Sequence, residues 1–390
     1  MHSYWEHSAW LSYDIIVIGA GIIGLSTAIA LKEHATHCSV AVLERGVLPS
    51  GASTRNAGFA CFGSITELLH DMALHGEEQT IQLVRERYEG LRLLRRRLGD
   101  NACGYEQYGG AELLFEHNLD ALSAIDRVNA ALRDVFSANP FYECSRKITQ
   151  YGLNAERVRA LVCNDFEGQL HSGMMMHSLV RYAQERGVMV IWGADVYALD
   201  EGAHEVAVHV RQGTPMQSEE TSSITFRAAQ VALCTNAWIR EIVPQVSITP
   251  ARGQVLITEP LKELPFRGVF HFDEGFYYFR TVSSPEGQRV LLGGGRNRAL
   301  EQETTTRMEL NPAIHQELEH ILRTIILPHH TNVQIAERWA GIMGFHHTKL
   351  PIVQRVSNRL TVGFGCNGMG VALGSIIGER TARVLLDKAS

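Results

Sequence analysis

Apolar residues run unbroken from Ile15 to Ile18, recur at helical spacing from Ile22 to about Glu33, and run unbroken again through Val40–Leu43. An unbroken β-branched run suits a strand buried on both faces, and a period near 3.6 suits a helix. The pattern therefore predicts strand, helix, strand. Residues 65–100 keep apolar positions at helical spacing and stop at Gly99; within them Leu91, Leu94 and Leu98 face away from a run of arginines, the pattern of a solvated helix face. Residues 109–116 (GGAELLFE) predict a strand and 118–136 a helix. Farther on come a helix (MMMHSLVRYAQERG), a strand (VMVIWG), a hairpin (EVAVHVRQGT to SSITFRA) and a buried strand (QVALC). GQVLITEP, EGFYYFRT and QRVLLGGG read as strands, and a helix follows Asn311.

Composition narrows the class. With 45% hydrophobic and 20% charged residues in 390, the chain can bury a core and has the length for two or three domains or two intertwined lobes. Its 42 acidic and 36 basic residues leave a net charge of −6, so no basic excess points to nucleic acid or an anionic membrane. No apolar stretch reaches the roughly 18 residues of a spanning helix. The first residues, MHSYWEHSAWLSYD, lack a basic segment followed by an apolar one, which predicts no signal peptide and a cytoplasmic protein. Seven cysteines with no CxxC spacing predict neither a disulfide framework nor a zinc site.

The first turn carries the chemistry. Gly19, Gly21 and Gly24 complete GxGxxG between the strand and the helix, and Glu44 ends the second strand. Gly19 permits a tight turn, Gly21 a close approach by a diphosphate, and Gly24 close packing of helix on strand. The helix N-terminus offers N–H groups and a partial positive charge to phosphate. Glu44 can accept hydrogen bonds from an adenosine ribose and disfavours a 2′-phosphate, so the ligand is NAD or FAD rather than NADP. A segment of small residues, LPSGASTRNAGFACFGS (48–64), follows; such a backbone can run close to a second part of the ligand.

GAGIIGLSTAIAL, VLERG and SGASTRNAGFA resemble the FAD-dependent D-amino-acid oxidase and glycine oxidase superfamily, as do VALCTNAWIREIVP (231–244) and LTVGFGCNGMGVALGSIIGERTARVLL (360–386). The resemblance spans residues 14 to 386, coarsely in the middle, and is specific for the superfamily rather than for one activity. It implies FAD as cofactor. Gly19, Gly21 and Gly24 would hold the diphosphate, Glu44 the ribose, and Arg45 and Val196 would flank the adenine. Ser53, Arg55, Asn56, Ala57 and Gly58 would line the path toward the isoalloxazine. Gly365, Asn367, Gly368, Met369, Gly370 and Val371 would surround its pyrimidine end, where N–H donors and a helix dipole stabilise the charge of the reduced ring.

The implied fold is α/β: a Rossmann-like FAD-binding domain interleaved with a substrate domain built on an antiparallel sheet with helices. Residues 1–63, 171–244 and 336–390 are assigned to the first, and 64–170 and 245–335 to the second.

The substrate side departs from the family. Where amino-acid oxidases of the superfamily place an arginine for the substrate carboxylate, Met343 stands in ERWAGIMGFHHTKLPIV (337–353). No cysteine lies in that stretch for flavin attachment, so the flavin is expected to be non-covalent. Tyr278 and Arg280 fall on one face of a strand by the period of two and are expected in the pocket. Arg296 and Arg298 are further candidates, as are Lys349 and His347, the latter as a proton acceptor or substrate contact. His346 and His347 form no metal-ligand set with a nearby carboxylate, and no metal is expected. The expected activity is oxidation of the C–N bond of an amine or amino acid, with hydride passing to flavin N5, hydrolysis of the imine, and reoxidation by oxygen or quinone. The alternatives are a 2-hydroxy acid dehydrogenase acting on C–O, with His346 or His347 as base, and a non-catalytic flavoprotein subunit.

Overall fold

The first strand forms where the apolar run predicts it, at Ser12–Ile18, and pairs in parallel with Val40–Glu44 on one side and with the end of Ser223–Leu233 on the other. The structure, a computed structural model, describes residues 3–212 and 223–387. Met189–Trp192 extends this sheet beyond Val40–Glu44, Leu360–Phe364 extends it beyond Ser223–Leu233, and Ile352–Arg355 closes that edge antiparallel. The central strands are buried on both faces because the helices Ile22–His34, Glu77–Leu98, Ser172–Glu185 and Gly370–Leu386 pack as one layer on one side, with apolar side chains from the antiparallel strands Ala194–Glu201 and Val206–Gln212 on the other.

A second sheet stands apart from the first. Its order is Ile335–Phe345, Thr249–Thr258, Gly287–Gly294, Tyr277–Ser284, Val269–Phe272, Gly110–Leu114, Ala160–Asn164 and Phe141–Glu143. Every pairing in it is antiparallel except that of Val269–Phe272 with Gly110–Leu114. The helix Pro312–Ile321, which follows Asn311 as the sequence indicated and is capped by it, packs an apolar face on the sheet.

The departures from expectation have local causes. The helical stretch 65–100 breaks into Ile65–His75 and Glu77–Leu98 at Gly76, which adopts φ +87°. Residues 118–136 do not form one helix: the Asn118 side chain accepts from the Phe115 amide, holding Asn118 out of helical geometry. The segment becomes a 3₁₀ turn, Glu116–Ala124, and the helix Ile125–Leu132. SSITFRA and QVALC merge into one strand, Ser223–Leu233, whose first half pairs antiparallel with Val206–Gln212 and whose second half pairs parallel with Ser12–Ile18. Residues 213–222, which the expected hairpin includes, lie outside the described residues. Ile335–Phe345 pairs along its length with Thr249–Thr258, so the chain returns to the parallel sheet after Phe345 and not at 336. Cys144, just past the strand Phe141–Glu143, and Cys163, on Ala160–Asn164, are joined by a disulfide, one bridge where no disulfide framework was expected. Among the described residues, no helix is long and apolar enough to cross a membrane.

Candidate active site

The C-terminal edge of the parallel sheet opens into a cavity of about 620 Å³ that continues to the face of the second sheet. Register assembles its first wall. Ile18 aligns with Leu43 and Leu233, so Gly19, Glu44 and Cys234 stand side by side. Gly19 turns at φ +100°, and a Cβ on Gly24 would stand 1.9 Å from the Gly19 carbonyl oxygen; both must be glycine for the helix to rise directly from the strand. Gly21 caps that helix without a side-chain hydrogen bond, while Ile22 N donates to Ser53 Oγ at 3.0 Å. The helix Gly370–Leu386 also starts without a side-chain cap. Both N-termini border the cavity, so backbone donors and two positive helix ends face whatever fills it.

Glu44 is held rigidly at this edge. One carboxylate oxygen accepts from Ala20 N and the other from Gly46 N, each at 2.9 Å, leaving further lone pairs for a diol. The Arg45 guanidinium lies 4.4 Å over the Trp238 ring, and both line the cavity with Val196. Ser53, Arg55, Asn56 and Ala57 form the next stretch of wall. Arg55 is anchored to the carbonyls of Ser50 and Ala340, and Asn56 Oδ1 accepts from Gly58 N and Ser172 Oγ, so this wall is braced by its own polar groups. At the far side Asn367 (φ +50°) accepts from His346 N at 2.8 Å and donates to Gly365 O at 2.6 Å; Asn367, Gly368, Met369, Gly370 and Val371 line the cavity. Gly24, Gly58 and Gly365 shape the turns behind the lining rather than facing it. An extended dinucleotide with an anionic centre fits these walls: two helix ends whose N-cap residues offer no side-chain cap, a fixed carboxylate and a cradle that side chains would fill.

The second sheet supplies the other end. His271, Tyr278 and Gly293 lie opposite one another on neighbouring strands, so His271 and Tyr278 share the face toward the cavity. A Cβ on Gly293 would stand 2.5 Å from the Tyr278 ring; glycine there lets the ring lie across the strand. The Tyr278 hydroxyl makes no hydrogen bond among the described residues, and burial pushes its pKa up to about 12. Gly294 (φ +122°) and Gly295 (φ +79°) then swing the chain into the short turn Arg296–Arg298, which brings Arg296 to the cavity.

Arg296 is a cation without an anion. Its guanidinium sits 4.4 Å over the Phe345 ring and makes no hydrogen bond or ion pair among the described residues; burial lowers its pKa. Glu303, an acid that acts on it, is fully engaged by Arg252 (2.8 and 2.9 Å), Asn311 and Gln254. Met343 and Phe345 line the same end.

Other expected residues fall elsewhere. Arg280, two residues along from Tyr278, is directed beneath the wall that Ala57 belongs to: it donates to Ala57 O at 2.5 Å and Leu170 O at 3.0 Å, is outside the lining, and burial lowers its pKa to about 10. The expectation that it is a pocket residue is corrected; it staples two backbone segments. His347 is likewise outside the lining, its ring 4.1 Å from that of His346, in a loop that turns away after Phe345. Lys349 reaches the cavity and is paired with buried Asp71 at 3.0 Å. Arg298 stays outside it.

The fold also groups residues that the sequence left apart. Cys61, Glu167 and His271 place a sulfur, a carboxylate oxygen and an imidazole nitrogen within 4.8 Å of one another. Burial, then Glu167, raises the Cys61 pKa; His271 is raised despite burial because Glu167 stands beside it. These residues lie 106 and 104 positions apart in sequence, beyond the reach of any spacing motif.

Such a cavity on such a pair of sheets defines a dinucleotide-dependent oxidoreductase. The family described as FAD dependent oxidoreductase (DAO) matches residues 14–384, and the chain belongs to it. It is 25% identical over 356 residues to sarcosine oxidase subunit beta of Rhizobium meliloti, covering 88% of this chain and 77% of that one. It is 25% identical over 283 residues to L-2-hydroxyglutarate dehydrogenase of Escherichia coli K12, covering 72% of this chain and 56% of that one. The structure of L-proline dehydrogenase from P. horikoshii superposes with a TM-score of 0.74 at 19% identity, covering 96% of this chain and 93% of that one, which shows a shared fold.

Proposed function

We propose that the protein holds FAD non-covalently in this cavity and oxidises the C–N bond of an amino acid or a related amine bearing an acid group. FAD, when bound, supplies the acceptor for the hydride leaving the substrate carbon. In this reading the parallel sheet and its helices form the cofactor domain and the mainly antiparallel sheet forms the substrate domain. The observation that carries it is Arg296: a half-buried, unpaired guanidinium facing the cavity beside Tyr278 is set to receive a carboxylate. Tyr278 adds a free hydroxyl for the same group or for the amine, and Phe276, Met343 and Phe345 exclude water around the reacting carbon.

C–N oxidation of a neutral amine needs alignment rather than a strong base. The expected bases His346 and His347 lie off the lining, and the histidines that line it, His70 and His271, each face a carboxylate, Glu274 at 3.2 Å and Glu167 at 3.5 Å. The likeness to L-2-hydroxyglutarate dehydrogenase favours a second reading, oxidation of a 2-hydroxy acid, for which the same Arg296 would hold the carboxylate. Oxygen or a quinone would reoxidise the flavin. Anaerobic mixing with amino acids, amines and 2-hydroxy acids while following the flavin absorbance separates the readings. Bleaching by amino acids alone supports the first, bleaching by hydroxy acids alone the second, and no bleaching by any of them sinks both. Arg296→Gln should raise KM for the active substrate by about 10- to 100-fold, the worth of one charge-assisted hydrogen bond, with flavin content unchanged.

A further inference from the structure

We propose that Cys61, Glu167 and His271 form a binding site for a borderline divalent metal ion, Zn²⁺ by its ligand chemistry, in the wall of the cavity. The three donors come from separate parts of the chain: Cys61 follows the short strand Phe59–Ala60, Glu167 precedes Gly168–Gln169, which pairs with that strand, and His271 lies on Val269–Phe272 of the larger sheet. Cys61 and Glu167 are 1% and 2% exposed and the His271 side chain 12%, so solvent does not account for their grouping.

With no ion bound, the Cys61 thiol donates to Gly168 O at 3.9 Å and His271 faces Glu167, and the separation of that pair is also that of two ligands on one ion. His271 Nε2 is 3.5 Å from Glu167 Oε2, at the long end of an ion pair, and is a buried nitrogen with no hydrogen-bond partner among the described residues. Two ligands at about 2.0–2.1 Å on a tetrahedral ion stand about 3.4 Å apart. Glu167 is also oriented from behind: its other oxygen accepts from Phe62 N at 3.0 Å, the kind of support that fixes a coordinating carboxylate. Phe59 packs against the imidazole at 5.2 Å and limits its rotation.

Ligand type selects the ion. One thiolate, one imidazole and one carboxylate suit Zn²⁺ and its neighbour Co²⁺; a sulfur donor and three protein ligands do not suit Mg²⁺ or Ca²⁺. Binding replaces the thiol proton with a metal–sulfur bond and releases that proton to solvent, so no oxidant or reductant takes part. Cys61 and His271 line the cavity, so the fourth position opens inward, where water or a substrate oxygen or nitrogen completes the shell. The site is separate from the flavin reading, since it is assayed by metal uptake and not by turnover.

The test uses flavin-containing protein stripped with a chelator and titrated with Co²⁺ alone, then Zn²⁺ alone. One equivalent of Co²⁺ should produce tetrahedral d–d absorption to the red of the flavin bands, and Zn²⁺ should displace it. Cys61→Ser, Glu167→Gln and His271→Gln should each weaken Zn²⁺ binding in calorimetry by more than the roughly 10- to 100-fold that even an outer-shell change costs. Cys38→Ser, at a partly exposed cysteine far along the fold, should change nothing. Circular dichroism identifies any variant that fails to fold, and the remaining variants then decide. Absence of the Co²⁺ band, or Zn²⁺ affinity unchanged in the folded variants, overturns the proposal.

Discussion

The two ends of the cavity are built from different materials. The end proposed for FAD is mostly backbone: a glycine turn, two helix starts whose N-cap residues supply no side-chain cap, and a carboxylate locked by two amides. The end proposed for the substrate is side chain: Tyr278 laid across Gly293, Arg296 stacked on Phe345, and His271 facing Glu167. A backbone site can be altered only by breaking the chain's path, so it admits few sequences and one ligand. A side-chain site changes with one residue, as Met343 and Arg296 illustrate, and its ligand can change while the fold stays.

The sharpest way to break this contrast is at Gly24. Its Cβ would overlap the Gly19 carbonyl, so Gly24→Val must push the helix off the strand. The expected result is protein that is colourless after purification, or insoluble, read from the ratio of flavin to protein absorbance. Retention of full flavin content would show that the turn does not need this close approach. Next in size is Glu303, fully buried and bound to Arg252, Gln254 and Asn311 behind the substrate end. Glu303→Ala strands the buried Arg252 charge and should cost about 3–5 kcal/mol of stability in denaturant unfolding. A loss below about 1 kcal/mol would mean that water, with the carbonyls of Gln302 and Arg307 that already accept from Arg252, solvates the stranded charge.

The same contrast explains what could be read from the chain. GxGxxG with Glu44 at the second strand's end was legible because each position answers a local steric or hydrogen-bond demand over one βαβ unit. Tyr278 was legible from the period of two, whereas Arg280, on the same alternation, was not. Its long side chain turns to unpaired carbonyls of Ala57 and Leu170, from segments far away in sequence. Arg296 and Arg298 are equivalent in GGGRNR, and only the path set by Gly294 and Gly295 sends one inward. The strand Ile335–Phe345 carried no mark of which sheet it would join, since both offer an edge. The grouping of Cys61 with Glu167 and His271 depends on the register of two sheets at once.

A middle-sized effect sharpens the cofactor side. Glu44→Ala removes the acceptor for two amides as well as the proposed ribose partner, and FAD affinity should fall about 10- to 100-fold, in line with about 1.5–3 kcal/mol for a charge-assisted hydrogen bond. Glu44→Gln, which keeps one acceptor, should lose less. Equal affinity in all three proteins, measured by flavin fluorescence on titration, would remove Glu44 from the site.

The smallest expected effect lies behind the substrate end, at His315. It is buried on the helix Pro312–Ile321, its Nε2 is 3.2 Å from Gln254 Oε1, and burial, with Arg338 adding repulsion, lowers its pKa below the usual 6.5. A histidine depressed in the fold contributes stability that is complete above about 6.5, the unfolded value, and is lost as pH falls from there toward its folded value. The wild-type unfolding midpoint should therefore decline as pH drops below about 6.5, and His315→Gln should decline less over the same window, because glutamine has no proton to gain. Parallel curves for the two proteins would show that acid acts elsewhere, on the carboxylates that Arg252 and Arg338 hold charged.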